Sequence, residues 1–181
     1  MIIPYGKHVI DSSDIEYVKN TLKSDFITQG PLVKKFERNL KHKVNSKYCV
    51  AVNSATSALH ISCLALGMNE KKLVWTVPNT FVSTANAALF CNSKIDFVEI
   101  DINNFNISIN FLKKKLIEAK KKKLIPDLLI VVHLAGNPTF AKEIKKLSNI
   151  YKFKILEDAS HSLGSKYYKK NVGCSLWSDA T

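Results

Sequence analysis

Apolar residues recur at two different spacings along the chain. Within the first 44 residues they recur every three or four positions, which is the spacing of one helix face. One stripe follows an Asp-Ser-Ser-Asp helix start at 11–14, and a second follows the Thr-Gln-Gly-Pro break at 28–31. The stripes are Ile15, Val18 and Leu22, then Leu32, Phe36, Leu40 and Val44. Because no strand separates them, we predict two amphipathic helices that form an N-terminal arm over residues 1–44 and pack on something else.

From residue 45 onward, short apolar runs alternate with helical stripes. The predicted strands cover 48–52, 73–76, 95–100, 128–132 and 153–156, and the predicted helices cover 56–66, 80–91, 108–123 and 138–151. Strands that are separated by helices pair in parallel through right-handed crossovers. We therefore predict an α/β fold for residues 45–181, with a three-layer α/β/α arrangement around a mostly parallel sheet. A hairpin with a short turn is predicted at 167–173.

The composition fits one sizeable globular core. The 181 residues are 46% hydrophobic, which is enough for a single core and short for two full domains. Apolar runs such as 128–132 are far shorter than the roughly 20 residues that a membrane span needs. The opening Met-Ile-Ile-Pro at 1–4 lacks the basic-then-apolar plan of a signal peptide. We therefore expect a cytoplasmic protein without a membrane segment.

The net charge of +12 rests almost wholly on lysine, because Arg38 is the only arginine among 27 basic residues. Nucleic-acid binders usually use arginine for bidentate contacts, so this bias argues against base readout. The lysine runs at 113–115 and 120–123 fall on a predicted helix and its end, where a solvated face explains them. The cysteines show no C-x-x-C spacing and are interpreted as free thiols. They are Cys49, Cys63, Cys91 and Cys174. We expect no nucleic-acid partner and no metal.

Two acidic residues stand at the end of the last predicted strand. Glu157 and Asp158 follow the apolar run at 153–156 and precede a turn of small residues. Open α/β sheets bind ligands at the carboxyl edge of their strands, where a carboxylate could hold a cation or a protonated ring nitrogen. The same acids could instead cap the turn and helix that follow. The stretch by itself leaves both interpretations open.

Three other strand ends are expected at the same edge. The small residues around Ala55 and Thr56 suit an anion at a helix N-terminus, although Ser and Thr are also ordinary N-caps. Phe81 could lie against a planar ring or pack in the core. His133 could act in catalysis or serve as a hydrogen-bonded structural residue. Together with Asp158, these features suit a flat, phosphorylated, pyridine-like ring.

Four segments stand in the order in which they occur in one enzyme family. They are Asn-Ser-Ala-Thr-Ser-Ala-Leu-His at 53–60, Pro-Asn-Thr-Phe at 78–81, Ala-Gly-Asn at 135–137 and Glu-Asp-Ala-Ser-His-Ser-Leu-Gly at 157–164. With Thr-Gln-Gly-Pro at 28–31, the chain resembles the DegT/DnrJ/EryC1/StrS family of sugar aminotransferases over essentially its whole length. The resemblance implies the fold of aspartate aminotransferase-like enzymes that use pyridoxal 5'-phosphate (PLP). Residues 45–181 would then be an incomplete PLP-binding large domain.

The resemblance also implies roles for individual residues. Ala55 and Thr56 match the residues that hold the cofactor phosphate, and Phe81 matches the aromatic that stacks on the pyridine ring. Asp158 matches the acid that pairs with the ring nitrogen. His161 takes the place of a Gln or His that contacts the phenolic oxygen of the ring. No role in the cofactor site is implied for Glu157, which we interpret as a structural residue.

The implied reaction transfers an amino group from glutamate to the C4 ketone of a UDP-linked 4-keto-6-deoxy sugar, an N-acetyl-altrosamine precursor. The product would enter pseudaminic acid and surface-glycan biosynthesis, and the full-length enzyme would be a homodimer. Thr28 and Gly30 are implied at the substrate site. The Schiff-base lysine of the family is expected shortly beyond Thr181, and Lys166 is not expected to replace it. The isolated chain is therefore expected to be inactive.

Three alternatives remain open. A dehydratase of the same family keeps the cofactor site but has His in place of the lysine, and the residues that follow Thr181 would distinguish the two. A non-catalytic fragment could serve dimerisation only. A nicotinamide-dependent enzyme is less favoured, because no G-x-G-x-x-G follows the first predicted strand.

Overall fold

A computed structural model of the chain describes residues 7–138 and 140–181. The segment 1–4, considered above for a signal peptide, and Thr139 lie outside the described residues. The α-helices are α1 (Ser12–Leu22), α2 (Pro31–Val44), α3 (Ala55–Ala65), α4 (Ser83–Phe90), α5 (Ile109–Lys122) and α6 (Ala141–Tyr151). The strands are β1 (Leu73–Thr76), β2 (Lys94–Phe97), β3 (Leu128–Val132), β4 (Lys154–Asp158), β5 (Lys166–Tyr167) and β6 (Lys170–Asn171). Within this part of the chain, no helix has the length and apolar character needed to cross a membrane.

Both predicted helices of the N-terminal arm are confirmed. The Asp11 side chain accepts hydrogen bonds from the backbone N–H groups of Ser13 and Asp14, and the Asp14 carboxylate accepts from the Asp11 N–H. This capping box begins α1. Helix α2 begins at Pro31, as the break at 28–31 predicted. The apolar stripe of α1 lies open, with Val18 59% exposed and no residue of the helix buried.

The predicted parallel sheet is also confirmed. Strands β2, β1, β3 and β4 lie side by side in that order, and every neighbouring pair is parallel. All five residues of β3 are buried, as expected for a central strand with both faces covered. Leu129 and Val131 pack with residues of α5 and α6, whereas Leu128 and Ile130 pack with residues of α3 and α4. Helices therefore cover both faces of the sheet in three layers.

The predicted strand at 48–52 is wrong. These residues pair with no strand in the described part of the chain, and Val50 is 72% exposed. The backbone N–H of Ala51 donates instead to the Glu37 carboxylate of α2, over 3.0 Å. β-Branched residues favour a strand only where a neighbouring strand satisfies the backbone, and none is present here.

Several element ends also differ from the prediction. Strand β2 ends at Phe97 instead of 100, α4 begins at Ser83 instead of 80, and α6 begins at Ala141 instead of 138. Glu157 and Asp158 do not follow the last strand, because they are its final two residues. In the described residues a turn and not a helix comes next, so the helix-capping interpretation is wrong, although Asp158 does accept a hydrogen bond from the Ser160 N–H of that turn. Alternation along the strand sets the face of the sheet to which each carboxylate points.

The last residues of the chain lie beside β4. Ala180 forms a parallel bridge with Leu156, and the Asp179 carboxylate accepts a hydrogen bond from the Ile155 N–H over 2.8 Å. Strand β4 therefore has backbone neighbours on both sides. The predicted hairpin is confirmed as β5 and β6, whose two-residue turn has positive φ at both positions, as in a type I′ turn.

Candidate active site

Alternation along β4 directs its two acids to opposite faces of the sheet. Ile155 packs in the cluster with α5 and α6, and Leu156 packs in the cluster with α3 and α4. Glu157 accordingly shares the face of Ile155, and Asp158 shares the face of Leu156. A hydrogen bond agrees with this placement of Asp158, because its carboxylate accepts from Thr84 of α4. The pair of acids therefore divides into two separate sites.

The Asp158 carboxylate is buried, with 8% of the residue exposed, and each of its oxygens has a hydroxyl partner. Thr84 Oγ1 donates to Oδ2 over 2.7 Å, and Ser160 Oγ donates to Oδ1 over 2.7 Å. The Ser160 N–H adds a longer bond to Oδ1, at 3.3 Å. A carboxylate has about four acceptor positions, so these contacts hold the group and leave capacity for another donor. A protonated ring nitrogen is a donor of that kind.

The N-cap of helix α3 belongs to the segment of small residues that contains Ala55 and Thr56. Ser54 is the N-cap, and its Oγ accepts a hydrogen bond from the Ser57 N–H over 3.1 Å. Ala55 and Thr56 are the first residues of the helix, where backbone N–H groups lack partners within the helix. The N-cap interpretation is therefore correct for Ser54, and it leaves the following residues free to meet an anion.

Hydroxyl contacts connect the start of α3 to Asp158. Thr56 Oγ1 lies 2.7 Å from Ser83 Oγ at the start of α4. The next residue of that helix is Thr84, whose hydroxyl donates to Asp158. The structure therefore brings two of the predicted site residues, Thr56 and Asp158, to one region through α4. Sequence reasoning missed both connecting residues, although they lie next to the Pro-Asn-Thr-Phe segment.

His161 lies in the turn after β4 and contacts the turn after β3. The backbone N–H of Ala135 donates to His161 Nδ1 over 3.3 Å, so the ring proton belongs on Nε2. Gly136 has φ +76°, and a Cβ atom there would lie 2.8 Å from the His161 carbonyl oxygen. Only glycine permits this approach. His161 thus presents an N–H donor that can meet an oxygen atom.

Phe81 precedes α4 and is 74% exposed, which excludes the interpretation that its ring packs in the core. Its carbonyl oxygen accepts a hydrogen bond from the Thr84 N–H over 3.1 Å, so the backbone of Phe81 is joined to the helix that contacts Asp158. An exposed aromatic ring on the ligand-binding edge is free to stack on a planar group.

Thr28 and Gly30 lie between α1 and α2, apart from these contacts. Gly30 is the N-cap of α2, and a Cβ atom there would lie 2.7 Å from the Cβ of Phe26. Among residues 7–138 and 140–181, no hydrogen bond joins either residue to Asp158 or its partners. Their assignment to a substrate site stays a prediction.

Glu157 belongs to a buried cluster on the other face. Ser178 Oγ and Thr181 Oγ1 donate to Glu157 Oε2 over 3.0 and 2.9 Å, and His133 Nε2 lies 3.5 Å from Oε1. Burial opposes ionisation of Glu157, but the contacts with His133, Thr181 and Ser178 outweigh it and lower the pKa of the carboxyl group. These contacts support the structural interpretation of Glu157 and of His133. The described residues contain no group of three or more His, Cys, Asp or Glu that could hold a metal ion.

Comparisons with known proteins identify the family of the chain. The model of the DegT/DnrJ/EryC1/StrS aminotransferase family matches residues 8–176. The chain belongs to this family. Among its relatives in the family, the UDP-4-amino-4,6-dideoxy-N-acetyl-beta-L-altrosamine transaminase of Campylobacter jejuni strain 81-176 is 40% identical over 95% of the chain. The uncharacterized protein MJ1066 of Methanocaldococcus jannaschii is 37% identical over 94% of the chain.

Solved aminotransferase structures have the same fold. Helicobacter pylori PseC, an aminotransferase of pseudaminic acid biosynthesis, matches 94% of the chain with a TM-score of 0.84 and 30% identity. The putative sugar aminotransferase Spr1654 of Streptococcus pneumoniae, solved in a PLP-form, matches 98% of the chain with a TM-score of 0.83 and 23% identity. The predicted aminotransferase fold and family are therefore confirmed. The chain spans 44% of the length of the Campylobacter relative and 44% of the PseC chain.

Proposed function

We propose that this chain supplies the cofactor-binding part of a PLP-dependent sugar-nucleotide aminotransferase. The observation that carries the proposal is the buried Asp158 carboxylate, which two hydroxyl groups hold on the face of the sheet that α3 and α4 cover. Family membership supports the reaction class, and the PLP-form of Spr1654 supports the cofactor. The residues present fit PLP, since they offer an acid, a helix N-terminus lined by small residues and an exposed aromatic ring.

Each site residue contributes one interaction. PLP, when bound, supplies an electron sink for the substrate carbon that loses its proton. Asp158 holds the proton on the ring nitrogen, because a carboxylate there favours the charged form. Ala55 and Thr56 bind the phosphate through the first turn of α3. Phe81 covers one face of the ring, and the Nε2–H of His161 donates to the ring oxygen.

The proposed substrate is a UDP-linked 4-keto-6-deoxy sugar, with glutamate as amino donor. The name of the Campylobacter relative supports a UDP-linked deoxy sugar, and the Helicobacter relative supports a product for pseudaminic acid biosynthesis, in both cases by analogy. We further propose that the full-length protein is a homodimer. In this proposal, residues outside these 181 supply the catalytic lysine and the remaining substrate contacts. In this proposal residues 1–44 are an arm whose open apolar stripe is covered in the assembled enzyme, and Thr28 and Gly30 contact the sugar nucleotide.

The test is the full-length protein with Asp158 changed to Ala. We expect transamination of a UDP-4-keto-6-deoxy sugar by glutamate to fall by at least about a thousandfold, since the lost interaction acts on the reacting ring. Asp96→Asn is the matched control, because Asp96 is exposed on β2 and contacts Lys115. Near-normal turnover by the Asp158 variant would contradict the assignment.

Two further outcomes would revise the substrate or the reaction. Activity on dTDP-linked but not UDP-linked 4-keto sugars would refute the proposed nucleotide. Release of a substrate hydroxyl group without appearance of an amino sugar would identify a dehydratase instead of an aminotransferase. Mass spectrometry of the products separates these outcomes.

A further inference from the structure

Thr84 is fully buried at the start of α4 and lies between two oxygen atoms. Its Oγ1 is 2.7 Å from Asp158 Oδ2 and 2.8 Å from Thr80 Oγ1. An ionised carboxylate only accepts hydrogen bonds, so the single hydroxyl proton of Thr84 must go to Asp158. Thr80 must therefore donate to Thr84. The three groups form a directed chain of hydrogen bonds that ends on the carboxylate.

We propose that Thr84 is a positioning residue for the cofactor, which orients the Asp158 carboxylate towards the pyridine ring. This inference rests on the proposed function of Asp158. Thr84 holds Oδ2 and Ser160 holds Oδ1, so donors on both oxygens fix the plane of the carboxylate. Of these two donors, Thr84 is the buried one and the one fixed by a helix, whereas Ser160 is exposed in a turn.

The hydroxyl group, and not the shape of the side chain, carries this role. Valine has the shape of threonine, but it would put a methyl group where the hydroxyl now lies 2.7 Å from Oδ2. A carbon atom cannot approach an oxygen closer than about 3.3 Å without repulsion. The Asp158 carboxylate would have to turn away, and Thr80 would lose its acceptor. Serine keeps the hydroxyl and removes only the methyl group.

The experiment measures the affinity of the full-length apo-protein for pyridoxamine 5'-phosphate by titration calorimetry. This amine form of the cofactor binds without a covalent link to lysine, so the measurement reports the site and not turnover. We expect Thr84→Val to raise Kd by at least about tenfold, as for a lost hydrogen bond to a charged group. Thr84→Ser should bind within about threefold of the unchanged protein, because one hydrogen bond of that size outweighs the missing methyl contacts.

Two controls separate positioning from packing. Thr76→Val makes the same change at another fully buried threonine, whose hydroxyl donates to the Ile130 carbonyl in the sheet, and should leave Kd unchanged. In an Asp158→Ala background, Thr84→Val should cause no further loss, because Thr84 acts through Asp158. Thermal unfolding confirms that each variant is folded.

Several results would overturn the inference. They are an unchanged Kd for Thr84→Val, failure of Thr84→Ser to restore binding, and an equal loss in the Asp158→Ala background. If Thr84→Val does not fold, Thr80→Val replaces it with an expected loss of about two- to threefold, since it only weakens the chain of hydrogen bonds. No loss there would overturn the inference too. Failure of the unchanged protein to bind the cofactor would instead refute the proposed function.

Discussion

Glu157 provides the sharpest test of how β4 is held in the sheet. Changing Glu157 to Gln keeps the size of the side chain and one carbonyl oxygen, but it removes the charge that Ser178 and Thr181 contact. A buried hydrogen bond to a charged group contributes about 1.5–3 kcal/mol, against about 0.5–1.5 for a neutral one. With two such bonds weakened, we expect a loss of about 2 kcal/mol in the free energy of unfolding. For a domain of this size, this corresponds to a fall in Tm of about 4–8 °C.

The pH dependence gives the sign of the effect. Folding lowers the pKa of Glu157 below its ordinary value of 4.5, so the ionised carboxylate stabilises the folded state above that pH. This stabilisation is lost as the pH falls through the lower value in the folded protein. The difference in Tm between the Gln variant and the unchanged protein should therefore be full at pH 7 and shrink below about pH 4.5.

Thermal unfolding at pH 7, 5 and 4 measures this difference. Glu118→Gln is the matched control, because Glu118 is exposed on α5, and its change should move Tm by less than about 1 °C. A Glu157→Gln variant as stable as the control would show that the cluster with Ser178 and Thr181 does not hold the carboxylate. A loss that is constant from pH 7 to pH 4 would show that the charge of Glu157 is not its source.

Two further predictions concern other parts of the fold. Gly136→Ala should lower Tm more than Gly67→Ala does, and it should also weaken binding of pyridoxamine 5'-phosphate. Both glycines have positive φ, but only a Cβ atom at Gly136 would meet the His161 backbone, at 2.8 Å. Equal effects of the two changes on Tm and on binding would contradict the close contact. Burial raises the pKa of the Cys63 thiol to about 12, so the thiol should not react at pH 8 in the folded protein. After iodoacetamide treatment at pH 8, peptide mapping should find Cys63 unmodified in the folded protein and modified in urea. Rapid labelling of Cys63 without urea would refute this prediction.

The sequence predicts the central part of the fold because each element there carries its own pattern. Strand β3 is an unbroken apolar run with polar residues at both ends, and its predicted bounds of 128–132 are those observed. The segment 48–52 has the same β-branched character, yet it is not a strand. Strand propensity describes the side chains, whereas pairing depends on a neighbour that may be far away in the sequence.

The sequence indicates the residue types of the candidate site but not the contacts between them. Asp158 is a candidate because acids at the carboxyl end of a buried strand lie where open α/β sheets bind ligands, although capping explained the same acids as well. Thr84 gives no comparable signal, since a threonine near a helix start is common and its bond to Asp158 spans 74 positions. Glu157 and Asp158 face opposite sides of the sheet because β4 extends through both of them. The end of β4 follows from pairing with its neighbours, which local pattern does not reveal.

Strand alternation makes the number of residues in β4 a constraint on the chemistry. A single-residue insertion or deletion between Phe153 and Glu157 would reverse which side of the sheet each later residue faces, provided that the first residues stayed in register. Asp158, the proposed cofactor acid, would then point to the face of the sheet that α5 and α6 cover, on which Glu157 now lies. A change of two residues would restore the facing. In laboratory evolution of this strand, variants whose length changes by two residues should therefore survive more often than variants whose length changes by one.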